Sequence, residues 1–105
     1  MSQQITIARI YLSEAEHHGP HESLMNEILG VLRDQQRVRN VTVFRGIAGM
    51  ADAGEVHASD ILRIMVDLPL VIEFYDEPKV VDAVLTLLAD RIGSGRTVLW
   101  NAICR

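Results

Sequence analysis

Residues 70–103 read LVIEFYDEPKVVDAVLTLLADRIGSGRTVLWNAI, and the change of period inside this stretch decides the fold. Residues 70–75 are rich in β-branched and aromatic side chains, the composition of a strand. Beyond them Val81, Val84, Leu85, Leu88 and Ile92 recur at helical spacing on one face, a stripe that a sheet must cover. Asp76 is placed to cap this helix, Pro78 is acceptable in its first turn, and Gly93 is expected as its left-handed C-cap. Residues 97–103 then resume a strand. The unit is strand, helix, strand.

Working outward, the first half of the chain repeats this unit. Ile5, Ile7, Ile10 and Leu12 alternate through a β-branched run, the mark of a first strand. Ser13 and Glu16 have the spacing of a helix capping box, but Gly19-Pro20 would interrupt any helix begun there, so residues 13–20 read as a turn. Leu24, Ile28, Val31 and Leu32 predict a helix from His21 to about Gln36, with Gly30 a weak point inside it. Residues 41–44 are strand-like, and residues 46–58 form a long glycine-rich loop of the sort that often carries function. Residues 60–76 are too long for one strand, and Pro69 predicts an edge, a bulge or a bend at 67–69.

Two split βαβ units predict a single α+β domain over residues 1–105. This is a ferredoxin-like βαββαβ sandwich, an antiparallel sheet with both helices on one face. Two helices cover one face only. Phe44, Ile72, Phe74 and Trp100 are expected to lie in part on the other, where burial in a homo-oligomer is the economical solution.

The 105 residues are 49% hydrophobic and 23% charged, which fits one compact domain and excludes a disordered chain. Fourteen acidic against ten basic side chains leave a net charge of −4, which argues against nonspecific nucleic-acid binding. Nine of the ten basic residues are Arg, suited to two-pronged capture of phosphate or carboxylate, although a codon-biased genome yields the same composition. Cys104 is the only cysteine, so no internal disulfide forms, and with no leader at residues 1–10 the expected compartment is the cytoplasm. The most apolar stretch, residues 68–75, is too short to span a bilayer, so any membrane contact would run through a partner.

Candidate chemistry lies in two glycine turns. In Gly93-Ser94-Gly95-Arg96-Thr97 the glycines permit the positive φ angles that let backbone N–H groups converge on an anion, and Arg96 adds a forked donor. A helix cap followed by a tight turn uses the same residues, and the Walker spacing is missing. Arg45-Gly46-Ile47-Ala48-Gly49 closes the second strand in similar style. Together the two turns would grip one phosphorylated ligand; alternatively Arg45 pairs with a carboxylate on a neighbouring strand. His17, His18, His21 and His57 are candidate metal ligands, but Gly19-Pro20 spoils the spacing and no thiolate cluster supports zinc, so a solvated histidine turn is preferred. Glu14 and Glu16 read as turn-capping groups. With no activated nucleophile or metal-binding carboxylate pair, no enzyme is expected.

A family resemblance covers most of the chain. NVTVFRGIAG at 40–49 is similar to the stretch entering the long T-loop of PII signalling proteins, and LPLVIEFYD at 68–76 resembles their third strand. IGSGRTV at 92–98 looks like their Gly-Asp-Gly-Lys phosphate loop, with Ser94 for Asp and Arg96 for Lys. The nearest resemblance is to the PII-like group of unknown function. Arg9-Ile10-Tyr11, Glu14 and His18-Gly19 stand in that group's N-terminal pattern, as do His57, Ile61-Leu62-Arg63 and Asp67-Leu68-Pro69.

The resemblance implies a homotrimer with small-molecule sites in the clefts between subunits. The ligand would be an adenine nucleotide, AMP, ADP or ATP, with no resident cofactor. Arg45, Gly46, Ile47 and Gly49 would flank base and phosphates, and Gly93, Gly95, Arg96 and Thr97 would hold phosphate oxygens. Loop 46–58 would carry the ligand state to a target protein, which family context makes a membrane transporter. Three features depart from the pattern. Residues 36–40 replace a run of small residues, His21-Glu22 looks inserted, and no tyrosine stands between Gly46 and Asp60, so uridylylation is not expected. A second reading is a metal-responsive protein akin to the CutA tolerance proteins, binding copper or zinc through His17, His18 and His57. A small hydrolase or transferase using the same cleft ranks last.

Overall fold

The structure, a computed structural model, describes residues 2–19, 22–35, 38–47 and 68–105, with Gln35 as backbone alone. Strand β1 spans Gln3–Ser13, helix α1 Leu24–Gln35, β2 Arg39–Arg45, β3 Pro69–Asp76, helix α2 Pro78–Ile92 and β4 Thr97–Cys104. The strands form one antiparallel sheet in the order β2-β3-β1-β4. This is the expected ferredoxin-like arrangement, with the first and third strands central. Among the described residues no helix is long and apolar enough to cross a membrane.

The strand period of two assigns each side chain a face, because directly opposed residues share one. Ala8 lies opposite Phe74, Ile10 opposite Ile72, and Leu12 opposite Leu70. These six meet Leu24, Ile28 and Leu32 of α1 and Val81, Val84, Leu88 and Ile92 of α2 in one core. Burying each large apolar side chain contributes about 1.5–3 kcal/mol. The α2 stripe therefore lies where its spacing predicts, with Leu85 partly buried beside it.

The same period corrects one expectation. Ile72 and Phe74 are fully buried under the helices and do not reach the open face. Phe44, opposite Val71, and Trp100, opposite Ile7, do lie there, 46% and 39% exposed. Between them sits Arg9, its guanidinium 5.8 Å from the Phe44 ring centre and 5.5 Å from that of Trp100. Its Nε donates to Glu73 at 2.7 Å.

Local signals resolve the element ends. Helix α1 starts at Leu24, three residues later than predicted, because Ser23 Oγ accepts from the Asn26 N–H at 3.2 Å and caps it. The cap position of α2 is Glu77; Asp76 instead accepts from the Glu77 N–H at 2.7 Å and faces Arg39 Nε at 3.6 Å. Gly93 has the expected positive φ of 76°, but with ψ −178° it adopts a conformation that only glycine enters readily, and not the left-handed helical cap. Pro69 opens β3, a strand position where a missing N–H is tolerated. Residues 13–16 form a turn, in which Glu16 Oε1 accepts from the Ser13 N–H at 3.2 Å and the Glu16 N–H donates to the Ser13 carbonyl at 3.2 Å. The capping-box spacing thus closes a turn without starting a helix. Residues 48–67, which include most of the predicted loop, lie outside the described residues.

Candidate anion-binding site

In the antiparallel sheet the C-terminal ends of β1 and β2 and the N-terminal ends of β3 and β4 share one end. Backbone bonds tie the adjoining turns together there. The Gly46 N–H donates to Pro69 at 2.8 Å, the Glu14 N–H to Leu68 at 2.8 Å, and the Tyr11 N–H to the Arg96 carbonyl at 2.9 Å. Both glycine turns singled out in the sequence therefore reach the same end of the molecule, one from each edge strand.

Arg45 is the last residue of β2, and its guanidinium bonds Glu14 in the turn after β1. Arg96 immediately precedes β4, and its two terminal nitrogens donate to the two oxygens of Glu16. This is the forked pairing for which a planar guanidinium is suited. The Arg96 and Glu16 side chains are 31% and 27% exposed, so the pair is only partly wet. Hydrogen bonds from Arg96 hold the Glu16 carboxyl below the usual carboxylate range against the opposing effect of burial, and Arg96 is pushed up in turn. The two cations and two carboxylates sum to zero charge.

Gly95, like Gly93, has a positive φ, here 81°, and a side chain built at either would meet no atom within 4 Å. Glycine is required by backbone conformation there and not by crowding. Thr97 opens β4 opposite Ile10, and Ile47 projects 92% exposed beyond the end of β2. Gly49 lies outside the described residues. Arg45, Gly46, Gly93, Gly95, Arg96 and Thr97 are thus brought to one end of the sheet.

The carboxylate alternative for Arg45 is also realised, with one change. Its partner comes from the β1 exit turn and not from the adjacent strand. Sequence reasoning missed Glu14 and Glu16 as partners of the arginines. The capping-box spacing revealed only the turn role of Glu16.

His17 and His18 have structural occupations. His17 Nδ1 lies 2.9 Å from the Glu22 carbonyl oxygen, a contact that keeps the proton on Nδ1. His18 Nδ1 lies 3.4 Å from Glu27, whose other oxygen faces Arg91 Nε at 3.5 Å. Among the described residues no three His, Cys, Asp or Glu side chains are grouped to hold a metal. His21 and His57 lie outside those residues. A shallow groove of about 390 Å³ beside Thr6, Lys79, Asp82, Leu99 and Asn101 lies along β4 at the start of α2, away from the arginine turns.

Comparison with solved structures bears out the fold. The chain resembles CPII from Thiomonas intermedia K12 in two forms. One, bound to ADP, AMP and acetate, matches with a TM-score of 0.61 at 12% identity, covering 99% of this chain and 89% of that one. The other, bound to ADP and bicarbonate, matches with a TM-score of 0.60 at 17% identity and the same coverages. At such identities what is shared is the fold. Over residues 5–103 the sequence matches DUF190, described as "Uncharacterized ACR, COG1993", and the chain belongs to that family.

Proposed function

We propose that this chain is a non-catalytic regulatory protein of PII type that binds a small phosphorylated ligand, an adenine nucleotide, in clefts between the subunits of a homotrimer. The observation that carries the reading is the convergence of the Arg45 and Arg96 turns on one end of the sheet, each with a guanidinium and with two positive-φ glycines in the second. Adenine nucleotides bound to CPII, a protein of the same fold, favour that ligand class. The protein has two states that act on a target through segment 46–58, and we assign that target to a transport protein of the membrane met from the cytoplasmic side. The ligand biases those states only by its difference in affinity for them. Turnover plays no part in this reading.

Isothermal titration with AMP, ADP, ATP and cyclic dinucleotides tests it. We expect at least one adenine nucleotide to bind, and Arg96→Ala to weaken binding about tenfold or more, the scale of a lost charge-assisted fork. Absence of heat from every nucleotide at millimolar concentration would remove the proposal.

A further inference from the structure

The arginine of the proposed phosphate turn already has an anion. Glu16 presents two oxygens to the two terminal nitrogens of Arg96, the same geometry a phosphate would use. We propose that Glu16 is an internal stand-in for the ligand's phosphate, a specificity-determining residue that an anion must displace to reach Arg96. The inference rests on the functional reading above.

The architecture around Glu16 suits such an exchange. Its backbone is pinned on both sides, the N–H by the Ser13 carbonyl at 3.2 Å and the carbonyl by the Leu24 N–H at 2.7 Å. Displacement needs a side-chain rotation that gives up the Ser13 N–H contact of Oε1, while the two backbone bonds keep the β1 exit turn in place. The carboxylate is partly exposed, so the released group regains water instead of being stranded. Glu14, two residues earlier, holds Arg45 through a single oxygen and one terminal nitrogen.

Selectivity follows from charge and shape. An incoming group must offer two oxygens on one centre and more negative charge than a carboxylate, since otherwise it exchanges one monoanion for another with no gain. A terminal phosphate, with a charge near −2 at neutral pH, meets both conditions. A carboxylate ligand or a halide does not.

The test compares ADP binding by titration calorimetry in the wild-type chain, Glu16→Gln and Glu22→Gln. Gln keeps an oxygen to accept from the Ser13 N–H but carries no charge for Arg96, so the turn is retained while the competitor is removed. Glu22 belongs to the same connection and meets His17 through its backbone carbonyl, so its substitution removes one acidic charge without releasing Arg96. The expected result is ADP affinity raised about three- to fivefold in Glu16→Gln, the range of a partly exposed ion pair, and unchanged in Glu22→Gln. Glu16→Ala, checked for folding by circular dichroism, is expected to match Glu16→Gln. Wild-type binding with equal or weaker affinity in Glu16→Gln would overturn the stand-in role alone, as would an equal gain in Glu22→Gln. Failure of all the proteins to bind would overturn the functional reading and this inference together.

Discussion

Glu16 illustrates how one side chain serves local and long-range structure together. It closes its own turn through the Ser13 N–H and reaches 80 residues along the chain to Arg96. Because its carboxyl is held below the usual range, it contributes stability at pH values above that range. The contribution is lost as pH falls through the lowered folded value. Unfolding in urea measured from neutral pH down to about pH 3 should therefore show the advantage of wild type over Glu16→Gln shrinking as acid is added. An advantage that stayed constant or grew in acid would contradict the assigned cause. Arg9 is a second residue with a double role, since it joins Glu73 on its own face of the sheet to the rings of Phe44 and Trp100.

Elements were legible where period and terminal chemistry agree. The α2 stripe predicted its buried face residue by residue because a helix presents every third or fourth side chain to the same neighbour. Leu88 is fully buried and Leu87, its neighbour in sequence, is 48% exposed. Leu88→Ala should cost about 2–5 kcal/mol, while Leu87→Ala should stay within roughly 0.5 kcal/mol, both read by chemical denaturation. Similar costs for the two would refute the packing. Less legible were the ends. Ser23 caps α1, although the apolar spacing alone suggested an earlier start, and Asp76 turns its carboxylate to the adjacent N–H instead of to the first turn of α2. Short polar side chains have several backbone donors within reach, and spacing does not say which one they take. Ile72 and Phe74 were placed in part on the wrong face for a different reason. Composition marks a residue as apolar, but only register against β1 says which way it points.

At the scale of the whole molecule, the sheet has one covered face and one open. Tyr11, Phe44, Val98 and Trp100 lie 43%, 46%, 50% and 39% exposed on the open side, around the Arg9 guanidinium. In the proposed homotrimer this face is buried. Light scattering should then give the mass of three chains for the wild type. Trp100→Glu, which sets a charge among those aromatic groups, should shift the protein to monomer with its circular dichroism spectrum retained. A wild-type monomer, or a variant that stays assembled, would refute burial of this face.

Strand and helix periods, turn residues and the Gly19-Pro20 interruption of any helix begun at Ser13 determined the order of elements and the ferredoxin-like class. Each of those signals acts between near neighbours in sequence, where one residue constrains the next few directly. The pairing of Arg45 with Glu14 and of Arg96 with Glu16 joins positions 31 and 80 apart, and no local rule selects one carboxylate among fourteen acidic side chains. That choice was made by the antiparallel sheet, which brings one end of every strand to the same side and sets each edge-strand guanidinium against the turn that leaves central β1.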